Sequence, residues 1–447
     1  MHFIIDGTLW EAPGPDGYDR MVERILRGLS TRGHGFTFVG KGSAPLGGAL
    51  APGLDWRIAP EKIGDRLTRD GWYKKSVPRV LGAGPMPGAA PQAPTPASAA
   101  PWISWEGHDL PGNATQWLFL KDISDLLWPG PKGLSPESDR KLKAWKGTLG
   151  RPGTGLVTFS WGAAALLAER WGVGQVAVGA GSAPEGASAG FAVSEGASAG
   201  SAVSEGASAD SAVSEGGSTV SEGGFAVSES ASAFPMLPPN LRVLPAFYPA
   251  DFAPATWEEK QKMKTAHSGG QEYFLWTGSP SGGHWMEALK AFSVFKRGQR
   301  SQMQLLLAPW TEPGDGWQTS LETYKYRADV RVVRGREVDW RELLRSAYAG
   351  LYLPQSDELG WVPGVAAELE VPLISTWRSI GREWASDGAL WVTPESPDSI
   401  AEAMIGVYKD EGFRSRLLER ARTLAEGRKT DTLIVQYEQL LTNGPWQ

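Results

Sequence analysis

An α/β chain with two doubly wound parallel sheets facing across a cleft is predicted by three features of the 447-residue sequence. The opening 42 residues run strand, loop, helix, strand. From Asn240 onward, short apolar runs alternate with amphipathic helical segments, and between these two regular parts lies a low-complexity tract with a ten-residue period. Strand and helix alternation puts helices on both faces of a parallel sheet, and two such sheets imply a ligand cleft lined by the carboxyl ends of their strands.

The first unit is explicit. HFIID is the strand, GTLWEAPGPDG the loop, and YDRMVERILRGLSTRG a helix with Met21, Ile25, Leu26 and Leu29 on one face; FTFVG is the next strand. The proline- and alanine-rich MPGAAPQAPTPASAAP at 86–101 reads as a loop. WISW and WLFL follow as strands, 137–147 as a helix, LVTFS as a strand and AAALLAERWG as a helix. Together they make a Rossmann-like domain over residues 1–173.

GASAGFAVSE starts at Gly186, recurs as GASAGSAVSE and GASADSAVSE, and decays to about Ser232. These units lack the bulky residues a stacked core requires, so the 174–237 insert is expected to be disordered, a tandem expansion tolerated in a surface loop. An adhesive or mucin-like tract is the functional alternative.

The second domain, 238–427, opens with NLRVLPAFY. It continues through YFLWTGSPSGGHWMEALKAF (strand, small-residue turn, helix), strands QLLLAP and VRVVRG, helix WRELLRSAYAG and strand LYLP. Helix PGVAAELE, strands VPLIST and ALWVTP, and helix PDSIAEAMIGVYKD complete it. Residues 428–447 form a helix expected to pack back on the first domain.

Composition narrows the function classes. A net charge of −6 without a basic run argues against nucleic acid as a partner. There is no cysteine, which excludes disulfides, thiolate catalysis and cysteine-held metals, and the five histidines show no metal-ligand spacing. No apolar run is long enough to cross a bilayer and the start lacks signal-peptide character, so a soluble, cytoplasmic protein with at most peripheral membrane contact is expected. The 21 tryptophans are read mainly as core filling (Trp276, Trp340, Trp391), with sugar stacking the alternative.

The stretch most suggestive of chemistry is residues 273–292. A strand, a glycine-rich turn and a helix N-terminus present free amide N–H groups to an anion, here those around Gly282 and Gly283. Yet the turn holds no Lys or Arg, and only His284 could carry charge.

Six blocks in order resemble the GT-B glycosyltransferases, in particular the retaining family 4 (glycosyltransferase group 1). They are IIDG with GYDRMVERILRGLSTRGHGFTFV, LKDISDLLWPGPKGLSPESDRKLKAW, NLRVLPAFYPADFAP, YFLWTGSPSGGHWMEALKAF, LRSAYAGLYLPQSDELGWVPGVAAELEVPLIST and DGALWVTPESPDSIAEAM. The resemblance implies a transferase of hexosyltransferase type in carbohydrate biosynthesis. It would take a nucleotide-sugar donor in the second domain and a carbohydrate, lipid-linked or other acceptor on the first, working with retention and without metal or cofactor.

The family positions transfer one at a time. Gly17 keeps the diphosphate-approaching glycine, while the second glycine position is Asp19. Lys121 stands at the active-site histidine position with Asp122 retained beside it; His108 lies one loop earlier. Gly278 is the strand glycine, and Ser279 and either Gly283 or His284 occupy the places of two diphosphate-neutralising cations. With Gly360 fixing the alignment, Asp357 takes the place of the first of two family glutamates and Val365 that of the second; Glu358 adjoins the first, and Glu368, one turn deeper than Val365, is the candidate substitute. The resemblance thus implies Lys121, Asp122 and Asp357 as catalytic residues. Gly17, Gly278, Ser279, Gly282, Gly283, His284, Glu358, Gly360 and Glu368 are its donor-binding residues. Four of the altered positions, those of the histidine, the two cations and the second glutamate, keep a second expectation open, a glycosyltransferase-like binding or scaffold protein without activity.

Overall fold

A computed structural model describes the chain except residues 8–17, 42–54, 59–71, 73–75, 78–99, 106, 108–114, 122, 124–126, 128–132, 172–236, 239, 247–252, 315, 335–337, 358, 427–429 and 445–447. The ten-residue repeats, most of the 86–101 loop, and Gly17, His108, Asp122 and Glu358 therefore lie outside the described residues.

The first sheet is built from β1 (His2–Asp6), β2 (Gly35–Gly40), β3 (Asp55–Ile58), β4 (Trp102–Ser104), β5 (Gln116–Phe119), β6 (Thr154–Thr158) and β7 (Leu241–Val243). All pairings are parallel and the spatial order is β3-β2-β1-β4-β5-β6-β7. Strand order reverses between β1 and β4, which opens a crevice at their carboxyl ends. Near-continuous burial along β1, β2, β5 and β6 fits a sheet covered on both faces. Helix α1 (Tyr18–Thr31) contributes the predicted stripe of Met21, Ile25, Leu26 and Leu29, all buried. Helix α2 (Pro136–Leu149) starts at the Ser135 cap with proline in its first turn, and α3 (Trp161–Trp171) follows β6.

Two features of this sheet differ from the sequence expectation. β3 was not anticipated, and NLRV, assigned to the second domain, pairs with β6 in the register Leu156↔Leu241. The chain thus completes the first sheet before crossing. Gly155 in β6 is demanded by packing, since a Cβ there would come within 2.0 Å of the Trp117 ring on β5.

The second sheet comprises β8 (Tyr273–Gly278), β9 (Gln304–Pro309), β10 (Val330–Val332), β11 (Ala349–Tyr352), β12 (Leu373–Thr376) and β13 (Leu390–Val392), ordered β10-β9-β8-β11-β12-β13. Its reversal lies between β8 and β11. Around it pack α4 (Trp257–Ser268), α5 (Trp285–Gln299), α6 (Gly316–Thr323), α7 (Trp340–Leu344), α8 (Trp361–Glu368), α9 (Arg382–Ala385), α10 (Pro397–Lys409) and α11 (Glu411–Glu426). Helix α4 begins on a capping box formed by Thr256 and Glu259 and ends at left-handed Gly269. It was invisible to periodicity because only Lys264 and Ser268 are buried on it. Helix α7 is shorter than WRELLRSAYAG suggests, because β11 already starts at Ala349.

The last helix, α12 (Thr430–Asn443), returns to the first domain. Ile434 lies so close to α1 that a Cβ on Gly28 would meet its side chain at 2.6 Å. The Tyr437 hydroxyl donates to the Pro245 carbonyl at 3.0 Å, and Glu438 pairs with Arg32 and His34. Among the described residues, no helix is long and apolar enough to cross a membrane.

A second link joins the two sheets. The Glu383 carboxylate on α9 accepts the backbone N–H groups of Trp161 and Gly162, each at 2.8 Å, at the start of α3. A carboxylate at a helix N-terminus answers both the orphan donors and the helix dipole. Glu383→Ala is expected to lower hydrogen-exchange protection of the Trp161 and Gly162 amides by about tenfold, in line with the ~1–2 kcal/mol of a strong cap. The amides of α1 should keep theirs; unchanged rates at Trp161 and Gly162 would show that the clasp contributes nothing.

Candidate functional site

The strand–turn–helix at 273–292 is organised around one side chain. Trp276 on β8 is fully buried, and its Nε1 donates to the Gly283 carbonyl at 2.8 Å. The turn wraps so closely over this indole that a Cβ on Gly283 would sit 2.4 Å from the Ser279 carbonyl oxygen and 2.7 Å from the Trp276 ring. Gly282 has φ +87, a conformation that favours glycine.

His284 also occupies the left-handed region, at φ 48 and ψ 37, as the N-cap of α5. For a residue with a side chain that conformation costs roughly 1–2 kcal/mol. Its side chain does not cap the helix; Nδ1 instead lies 2.9 Å from the Leu353 carbonyl at the end of β11. A carbonyl only accepts, so Nδ1 is assigned the proton, and Nε2 makes no hydrogen bond among the described residues. The amide of Gln355 donates to the Gly282 carbonyl at 3.0 Å. Both bonds tie the turn to the strand across the reversal point, where open α/β sheets take their ligands. On the β9 side, Trp310 donates Nε1 to Thr277 Oγ1 at 2.9 Å and lies beside Tyr352 and Trp361, walling the same edge.

Asp357 follows β11 and is 4% exposed. Its carboxylate accepts the Gly360 N–H at 3.0 Å and the Ser379 hydroxyl at 2.5 Å, while its own N–H donates to the Arg378 carbonyl. Burial pushes its pKa up, against the lowering effect of these hydrogen bonds. With both oxygens engaged, the side chain joins two loops. Left-handed Gly360 permits that junction, since a Cβ there would lie 2.6 Å from the Gly381 nitrogen.

Val365 is buried on α8. Glu368 lies at the far end of that helix, about 10 Å along the axis from Trp361 at 1.5 Å per residue. Its Oε2 is buried with no hydrogen-bond partner, and burial pushes the carboxyl up to about 7.

Charges on two further loops complete the edge. Arg378, after β12, stacks its guanidinium 4.9 Å from the Trp377 ring and pairs through Nη1 with Glu395, after β13. Burial acts to raise the Glu395 carboxyl. The Arg378 hydrogen bond, a backbone hydrogen bond at Glu395 itself, the Arg378 charge and His284 outweigh it and leave the pKa lowered. On the first domain, Asp6 ends β1, is 2% exposed and accepts the Ser104 hydroxyl at 2.9 Å across the other reversal point. Lys121 lies after β5 with its ammonium 4.6 Å from the Tyr18 ring. Among the described residues, no group of three or more His, Asp or Glu is arranged to hold a metal ion.

Gly278, Ser279, Gly282, Gly283 and His284 thus share one turn, with Asp357 and Gly360 on the loop stitched to it, while Lys121 belongs to the other sheet. Asp6, Arg378 and Glu395 were missed by motif comparison; Asp6 is the last residue of β1, and Arg378 and Glu395 lie in the loops just past the carboxyl ends of β12 and β13, a position that was the available signal.

Glu368 yields a pH signature. The folded chain keeps this proton between the ordinary glutamate value of 4.5 and about 7, whereas the unfolded chain releases it, so stability falls as pH rises through that window. Glu368→Gln removes the titration. Relative to the unsubstituted protein it should gain about 1–2 kcal/mol above pH 7, after allowance for partial exposure, and almost nothing below pH 4.5. Calorimetric melting of both proteins at pH 4.5 and pH 8 checks this; equal differences at the two values contradict it.

No protein-family model and no curated protein matches the sequence. Solved structures do match. WaaG, a glycosyltransferase involved in lipopolysaccharide biosynthesis, is 14% identical with a TM-score of 0.64 over 99% of this chain and 100% of its own. Anabaena HepE in complex with UDP-glucose is 10% identical with a TM-score of 0.61 over 99% of both chains. Sucrose-phosphate synthase from Thermosynechococcus elongatus is 12% identical with a TM-score of 0.62, over 99% of this chain and 98% of its own. At such identities the likeness speaks to architecture alone, and with the two parallel sheets it establishes that the chain has the two-domain GT-B fold.

Proposed function

We propose that this protein is a glycosyltransferase that takes a nucleotide-sugar donor on its second domain and passes the sugar to an acceptor on its first, with retention and without a metal. The observation that carries this reading is the Gly278–His284 turn. It is held by hydrogen bonds at the reversal point of the second sheet, and among the described residues no side chain caps the first amides of α5. Such a turn presents hydrogen-bond donors to a diphosphate, which is the leaving group of glycosyl transfer. Strain at His284 is consistent with a functional position, because non-glycine left-handed residues persist where the surroundings hold them for a purpose.

In this reading the backbone around Gly282 and Gly283 and the His284 ring take the diphosphate, and Gly17 approaches it from the first domain. Asp357 acts as a positioning residue that holds the 355–360 loop, and Glu358 reaches the donor sugar. Lys121 and Asp122 serve the acceptor side, and closing the cleft excludes water from the reacting bond. The likenesses to WaaG, a glycosyltransferase, and to HepE, in complex with UDP-glucose, support the reading.

A second reading, a binding protein of this fold without transferase activity, is favoured by Val365, a buried apolar residue at the place of the second family glutamate. Calorimetric titration with UDP, GDP, ADP and their glucose conjugates separates the two. Micromolar to low-millimolar binding of at least one, lost in Gly283→Ala because of the clash with the Ser279 carbonyl, is the expected result. Absence of binding to well-folded protein would falsify the enzyme reading and leave the second.

A further inference from the structure

The turn at 278–284 has no permanent cation, yet the loops stitched to it bring one. The amide of Gln355 bonds the Gly282 carbonyl, the amide of Asp357 bonds the Arg378 carbonyl, and the Ser379 hydroxyl bonds the Asp357 carboxylate. Loops separated by almost a hundred residues therefore form one continuous surface along the carboxyl ends of β8, β11 and β12. Arg378 projects from that surface with its guanidinium plane held by the Trp377 ring. Only Nη1 is engaged, by Glu395; Nε and Nη2 make no hydrogen bond among the described residues, and the side chain is 24% exposed.

Resting on the nucleotide-sugar reading, we propose that Arg378 is the diphosphate-binding cation of this protein, and that Glu395 is the internal anion the diphosphate displaces. A guanidinium presents a planar fork of donors that matches phosphate oxygens, and it carries a permanent positive charge. Glu395 is 46% exposed, so the pair that occupies Arg378 is of the weakly stabilising kind and exchanges readily for a doubly charged ligand. Glu395 meanwhile keeps the fork oriented along the edge and prevents an isolated cation from distorting the loop. The cation has thus moved from the first loop of the sheet to the loop after β12, which accounts for a turn that kept its backbone shape without Lys or Arg.

The test is calorimetric titration of the full chain with UDP, GDP and ADP, comparing the unsubstituted protein with Arg378→Ala, Arg378→Lys and Glu395→Gln, each checked for an unchanged melting curve. For whichever diphosphate binds, Arg378→Ala should raise Kd by about tenfold to a hundredfold, the range for losing a hydrogen-bonded charge. Arg378→Lys should fall between, and Glu395→Gln should lower Kd by about threefold to tenfold because the competing anion is gone. A purely structural ion pair would instead weaken binding, or leave it alone, in both Arg378→Ala and Glu395→Gln. The same sign in those two variants, or an unchanged Kd in Arg378→Ala, overturns this inference while leaving the glycosyltransferase reading intact. Failure of every diphosphate to bind the unsubstituted protein overturns both.

Discussion

The hydrogen bond from the buried Trp276 indole to the Gly283 carbonyl is the constraint on which the second domain's cleft edge depends. An indole N–H inside a sheet core gains from finding an acceptor, since a buried polar group without one is costly. Here the acceptor is the turn itself. Satisfying it pulls the chain down over the ring so tightly that only glycine fits at 283, and this in turn directs His284 into a left-handed cap facing Leu353. A core-packing requirement and the shape of a candidate anion seat are therefore one and the same arrangement.

The fold was legible because both domains repeat a simple physical pattern. Apolar stripes on α1 and buried runs such as YFLWTG and QLLLAP carry their periodicity in the sequence. Elements that escaped notice are those without that pattern. Helix α4 buries Lys264 and Ser268 rather than an apolar face, and it is held by its caps and by the pairing of Lys264 with Glu272. β3 is four residues at a sheet edge.

The candidate site was legible only in part, for a different reason. Strand, turn and helix are local, so the seat at 278–284 could be located from twenty consecutive residues. The partners that give it character are not local. Arg378 meets Glu395 because β12 and β13 lie side by side, and the loop after β13 brings Glu395 within electrostatic reach of His284 on the turn. Glu383 and Trp161 are 222 residues apart. Motif comparison also weighs a carboxylate by its type; Asp357, with both oxygens committed to neighbouring loops, illustrates how packing decides what such a group does.

The pairing of β7 with β6 changes what the low-complexity tract is attached to. α3 ends at Trp171 and β7 begins at Leu241, so both anchors of the intervening chain belong to the first sheet. The tract is an excursion out of one domain and back into it, not the tether between two. The point of attachment of the repeats is thus internal to the first domain, and the crossing to the second domain is made only after β7 is in place.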